Sequence, residues 1–152
     1  MESAKDGSLT KETDVYKGDE VVGIAILCND PRANLWKSTK ARLIPKGKIF
    51  APIMVFGGAI PLVHPEDLPT DHHCLLGQIH FGLGNFPTVK ELLVIIHDCG
   101  YYNLIQRGFP LKAKIEDGRK IADFIKRHFS LPTAVFFAHA KSESEIDFEK
   151  IR

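Results

Sequence analysis

Short apolar runs, separated by longer polar segments, dominate the hydrophobic pattern of this chain. The runs at 21–27, 49–56, 92–97 and 133–139 are rich in β-branched or aromatic residues and are followed by turn-forming or polar residues. Runs of this length are typical of strands buried on both faces of a parallel sheet. Pro52 cannot donate a ladder hydrogen bond, so it predicts a bulge or an edge position for the second strand. The pattern thus predicts four strands.

Two of the intervening segments carry apolar residues at helical spacing. The spacing predicts one helix over 72–83, capped by Asp71, and another over 116–129, whose last turn is basic as the helix dipole favours. Parallel strands need long crossovers, and helices between the strands provide them. The predicted fold class is therefore α/β, a parallel sheet flanked by helices.

The length of 152 residues fits one domain. Residues 1–18 are polar and have little apolar surface to bury, which predicts a flexible N-terminal tail. Residues 19–152 then form a single α/β domain. With 44% hydrophobic and 26% charged residues, the chain has the composition of a globular protein with a core.

Charge and hydropathy exclude two kinds of partner. The 20 basic and 19 acidic residues leave a formal net charge of +1, too little to hold nucleic acid by a general basic field. No apolar run approaches the roughly 20 residues that span a bilayer, and none follows Met1 as in a signal peptide. We therefore expect a cytoplasmic protein without a membrane partner. Its three cysteines do not suggest a disulfide framework.

Chemically reactive side chains follow two of the predicted strands. CNDPR at 28–32 follows the first strand, and His97-Asp98-Cys99 stands at the end of the third. Ligands of open parallel sheets bind beyond the carboxyl ends of the strands, so these stretches are expected to meet. Two cysteines and one histidine suit tetrahedral zinc and leave its fourth position for water. The sequence predicts a Zn²⁺ site on Cys28, His97 and Cys99, although buried core cysteines are the simpler alternative.

The same residues carry a resemblance to the β-class carbonic anhydrases. CNDPR matches that family's CxDxR motif, and VIIHDCG at 94–100 resembles its strand ending in a histidine and a CG pair. The stretch from Glu116 onwards resembles the small carbonic anhydrase branch of bacteria and archaea. This chain has HxC in place of the usual HxxC, with Ile96 where the histidine would stand. Alternate side chains of an extended strand share a face, so His97 and Cys99 can still reach one ion.

The resemblance implies a sheet of order 2-1-3-4, zinc on Cys28, His97 and Cys99, and an Asp30–Arg32 pair beside the fourth coordination position. It also implies a lyase, carbonate dehydratase, which converts carbon dioxide reversibly to bicarbonate through zinc-bound hydroxide. Members of the family are dimers or larger homo-oligomers. Asp30 would either accept a hydrogen bond from the hydroxide, with Arg32 holding it, or itself occupy the open position.

Other functions remain open at this point. The same site would suit a hydrolase of carbonyl sulfide or carbon disulfide, or a non-catalytic homologue that binds zinc or a small anion. Cys28 and Cys99 could instead form the disulfide of a thiol redox protein. Cys74 lies in HHC at 72–74, where successive helical side chains diverge by about 100° and cannot all face one ion. The glycine pair at 57–58 is expected to form a turn with positive φ.

Overall fold

A computed structural model describes residues 20–30, 34–142 and 145–152. The strands are β1 (Val21–Cys28), β2 (Ile49–Val55), β3 (Glu91–His97), β4 (Thr133–Ala140) and β5 (Ile146–Lys150). The α-helices are α1 (Leu35–Arg42), α2 (Pro69–Asn85) and α3 (Leu111–Phe129), and short 3-10 helices span Ile60–Val63 and Gly100–Leu104. The predicted tail at 1–18 lies outside the described residues.

The strands form one sheet of order β2-β1-β3-β4-β5. β1 pairs in parallel with β2 and β3, β3 pairs in parallel with β4, and β5 runs antiparallel to β4. The predicted α/β class is confirmed. The predicted order 2-1-3-4 is wrong in lacking the fifth strand, which closes the β4 edge. β5 was missed because an edge strand buries one side only: Ile146 is buried, whereas Asp147, Glu149 and Lys150 are exposed.

β2 occupies the opposite edge of the sheet, where it pairs with β1. Pro52 lies opposite Ala25 within a continuous register, and the irregularity in this pair falls between Val21 and Gly23 of β1. Of the two explanations for Pro52, the edge position is therefore the correct one. A proline without an N–H is tolerated there because an edge strand donates hydrogen bonds on one side only.

The helices differ from the predictions mainly at their N-termini. α2 begins at Pro69 rather than at residue 72, with Leu68 as its N-cap, so Asp71 lies in the first turn and does not cap the helix. Proline suits the first helical position because its fixed φ and missing N–H cost nothing there. α3 begins at Leu111 rather than at residue 116. The pattern does not predict α1, in which only Leu35 and Thr39 are buried.

Hydrophobic packing covers both faces of the sheet. On one face, strand residues such as Ile24 and Val94 pack with Ile79 of α2 and Ile121 of α3. On the other face, a second cluster joins strand residues to Leu35 of α1. The parallel pairing of β1 with β3 places the carboxyl ends of these two central strands side by side. None of the helices in the described ranges has the length and apolarity needed to cross a membrane.

Candidate metal centre

Cys28, His97 and Cys99 meet at the carboxyl ends of β1 and β3. Each offers one ligand atom, and the three atoms all lie within 4.8 Å of one another. All three side chains are buried. Cys28 is the last residue of β1 and His97 the last of β3, so the pairing of these strands brings them together. This group, which we call the candidate metal centre, can hold a metal ion.

The spacing of His97 and Cys99 works because the chain stays extended beyond the end of β3. Cys99 has φ −94° and ψ 133°, so residues 97 and 99 lie on the same side of the backbone. Ile96 lies on the other side and packs in the hydrophobic core among residues of α2 and α3. It takes no part in the centre. The HxC spacing therefore still brings an imidazole and a sulfur together.

The two sulfurs lie at the separation expected of ligands that share one ion. Cys28 Sγ and Cys99 Sγ are 3.7 Å apart, and both cysteines are free. Two thiolates at about 2.3 Å from a tetrahedral zinc would be separated by about 3.8 Å. A disulfide would require about 2.05 Å. The distance thus matches two co-ligands without any movement of the backbone.

The imidazole of His97 supplies an unsatisfied atom at the same place. Its Nε2 is buried and has no hydrogen-bond partner in the part of the chain that the structure describes. A buried polar atom without a partner costs about 1–3 kcal/mol, so native structures rarely leave one unpaired. Coordination of a metal ion would remove that cost.

The hydrogen bond between the two sulfurs shifts the pKa values of the two thiols in opposite directions. The hydrogen bond between the Cys28 and Cys99 sulfurs lowers the pKa of Cys99, which the nearby His97 lowers further. The same hydrogen bond, together with burial, raises the pKa of Cys28. A metal ion that binds both residues as thiolates displaces the protons that their thiols hold.

Backbone N–H groups surround the sulfurs. Gly57 N–H donates to Cys28 Sγ and Tyr101 N–H donates to Cys99 Sγ, each at 3.4 Å. Gly57 and Gly58 have φ of +84° and +54°, as expected for this glycine pair. Both N–H donors stabilise negative charge on the sulfurs and leave their remaining lone pairs available.

An open pocket of about 480 Å³ reaches the centre from solvent. It is lined by Cys28, Asp30, Phe56, Gly57, Cys99, Gly100 and Tyr101. The ring of Phe56 is largely exposed, and the Tyr101 hydroxyl donates a hydrogen bond to Asp71 of α2. The two sulfurs of the candidate metal centre therefore face a pocket with mostly apolar walls.

Asp30 lies at this pocket, whereas the structure does not describe Arg32. The carboxylate of Asp30 is half-buried, and its charge contributes to the raised pKa of Cys28. Asp30 is thus close enough to act on the centre electrostatically. Arg32 lies outside the described residues, and the expected Asp30–Arg32 pair remains a prediction.

The structure also shows which other cysteine and aromatic side chains lie near the candidate metal centre. Cys74 is exposed on α2 and is not part of the candidate metal centre. Phe56 and Tyr101 form walls of the pocket. From the sequence alone, Tyr101 could either wall the site or pack at a dimer interface, and Phe56 had no predicted role. Their positions directly after β2 and after the CG pair were the available signal, because residues beyond strand ends line such sites.

Fold and site together define an α/β protein with a buried Cys₂His group at the carboxyl ends of two central parallel strands. No protein-family model matches the chain. A search of curated proteins likewise finds no match. The resemblance to the β-class carbonic anhydrases therefore depends on the motifs at 28–32 and 94–100 and on the stretch from Glu116 onwards.

Proposed function

We propose that this protein is a zinc-dependent, carbonic anhydrase-like enzyme that hydrates carbon dioxide reversibly to bicarbonate. The observation that carries the proposal is the convergence of Cys28, His97 and Cys99, whose ligand atoms lie within 4.8 Å of one another at an open pocket. The CxDxR motif that includes Asp30 supports the same activity.

The donor set fits zinc. Thiolate and imidazole are the ligands that zinc prefers, and three protein ligands with access from solvent are typical of a catalytic rather than a structural site. The 3.7 Å between the sulfurs and the unpaired Nε2 of His97 agree with tetrahedral coordination. When bound, zinc lowers the pKa of a coordinated water to about 7 and so provides a nucleophile at neutral pH.

The protein side chains would orient and select the reactants. Asp30 offers a carboxylate at the pocket that can accept a hydrogen bond from the attacking water and hold its lone pair toward the substrate. In the proposal Arg32 holds this carboxylate. The rings of Phe56 and Tyr101 give the pocket an apolar wall, which suits carbon dioxide better than it suits the bicarbonate anion. Product release would benefit from this difference.

Metal analysis combined with stopped-flow hydration tests the proposal. Purified protein should carry about one zinc per chain and hydrate carbon dioxide well above the uncatalysed rate. Cys28→Ser and His97→Ala should each lose the zinc and the activity, because each removes one of three ligands. Cys74→Ser is the matched control: its thiol is exposed on α2 and it should keep both. Zinc present with only a background hydration rate would contradict the enzyme and favour a non-catalytic zinc protein.

A thiol redox function is the second candidate, and the free, hydrogen-bonded pair Cys28–Cys99 favours it. It predicts protein purified without metal that loses two of its three thiols on mild oxidation. Mass spectrometry would then show a Cys28–Cys99 disulfide. Added zinc would not protect those two thiols from oxidation.

A further inference from the structure

A buried lysine approaches the candidate metal centre from α3. The Lys114 side chain is 11% exposed and its ammonium pairs with the carboxylate of Asp98, which is 72% exposed. Asp98 stands between the two ligand residues His97 and Cys99. Burying an ammonium group is costly unless it is paired, so the ion pair with Asp98 offsets the cost of burying Lys114.

The same lysine also contacts the far end of the segment that carries the ligands. We call residues 97–102 the ligand turn. Lys114 Nζ lies 5.1 Å from the centroid of the Tyr102 ring, over its face. Tyr102 is buried, and its backbone N–H donates to the carbonyl of Cys99 at 3.2 Å. Lys114 therefore contacts the ligand turn before and after Cys99.

A second α3 residue, Asp117, lies three positions after Lys114 and binds the hydroxyl of Tyr102. The Tyr102 hydroxyl donates to the buried carboxylate of Asp117 at 3.0 Å. His64 Nε2 lies 2.7 Å from the same carboxylate oxygen, which ties the loop before α2 to the network. Because Lys114 and Asp117 are three residues apart on one helix face, α3 holds the ligand turn at two points.

We infer that Lys114 is a positioning residue that holds Asp98 and Tyr102, and through them keeps His97 and Cys99 in metal-binding geometry. This role rests on the zinc site of the proposed function and adds to it the residue that supports the site. Partners that orient metal ligands typically change metal affinity by about 10- to 100-fold when they are removed. Among the described residues, Lys114 contacts neither the pocket lining nor a ligand atom. It therefore acts through the ligand turn.

Charge and positioning predict opposite results for one substitution. Removing a positive charge near a cation site would, by Coulomb's law alone, strengthen metal binding. Removing the group that holds the ligand turn would weaken it. Lys114→Met should weaken zinc binding by about tenfold, measured by competition with a chromophoric chelator. Lys114→Arg should restore most of the affinity, and Lys120→Met, at an exposed position on the same helix, should leave it unchanged.

A double-mutant cycle tests whether Lys114 acts through Asp98. Asp98→Asn alone should also weaken zinc binding, and the double variant should be no weaker than the weaker single variant, because both remove the same contact. Since Asp98 is largely exposed, this variant provides the test if Lys114→Met does not fold. Cobalt-substituted protein should show altered ligand-field absorption in Lys114→Met and not in Lys120→Met.

The results distinguish the positioning role of Lys114 from the enzymatic proposal. Zinc affinities for Lys114→Met and Asp98→Asn within twofold of the unsubstituted protein would overturn the positioning role. Tighter binding by Lys114→Met would also overturn it, in favour of simple charge repulsion. Zinc binding that changes as expected, in a protein without carbon dioxide hydration, would support the positioning role while the enzymatic proposal fails. Unsubstituted protein that binds no zinc would overturn both.

Discussion

Gly57 contacts Cys28 of the candidate metal centre and lies against the Tyr101 ring of the pocket wall. Its N–H donates to Cys28 Sγ, and a Cβ placed on its backbone would lie 2.5 Å from the ring of Tyr101. Its φ of +84° is one that side-chain-bearing residues rarely adopt. At the scale of single residues, a glycine is therefore required here by both conformation and space.

Replacing Gly57 by alanine is expected to destabilise the protein. The strained φ alone costs about 1–3 kcal/mol, and the contact with Tyr101 adds to it, so the urea midpoint should fall clearly. Gly77→Ala is the matched control, because Gly77 lies within α2 and an added Cβ would meet nothing within 4 Å. That substitution should stabilise the protein by up to about 1 kcal/mol. Equal midpoints for the two variants would contradict this explanation.

Cys28, Asp30, His97 and Cys99 could be identified as candidates from the sequence because their types and positions after apolar runs are local information. The geometry that brings His97 and Cys99 together in HxC was predictable as well, since alternation along an extended chain is a local rule. Lys114 could not be identified in this way. Nothing in its neighbourhood in sequence shows that its ammonium pairs with Asp98 rather than with water.

β5 illustrates what a single element contributes and why its pattern is weak. It pairs antiparallel with β4, and its alternation of Ile146 and Phe148 with acidic residues places one side against the second hydrophobic cluster. Five residues with two partly or fully buried side chains resemble a charged surface segment in sequence. The continuous apolar runs of the central strands, which are buried on both sides, give a much stronger signal.

A substitution in β5 tests whether this strand stabilises the fold. Ile146 is 3% exposed and packs in the core, so Ile146→Ala should lower the free energy of unfolding by about 2–5 kcal/mol. Lys150→Ala, exposed in the same strand, should change it by less than about 0.5 kcal/mol. Chemical denaturation measures both values. A loss for Ile146→Ala no larger than that of the control would mean that β5 is not docked in solution.

For the whole molecule, the proposed zinc should couple to global stability. An ion that binds the folded state only stabilises it by about 2.7 kcal/mol when free zinc is 100 times its dissociation constant. Chelation should therefore lower the unfolding temperature, and added zinc should restore it. His97→Ala should lose this response because it removes one of the three ligands. A chelator that shifts the unfolding temperature equally in both proteins would indicate that the metal acts elsewhere.

The hydrophobic pattern predicted the α/β class and four strands, and the residue types that follow two of these strands identified the candidate metal ligands, because burial on both faces and turn formation act over a few neighbouring residues. The 3.7 Å between the sulfurs of Cys28 and Cys99, which are 71 positions apart, follows from long-range packing. That distance depends on the register of β1 against β3 and on the packing of both faces. The docking of β5 and the contact of Lys114 with the ligand turn depend on the same long-range packing, which no local pattern encodes.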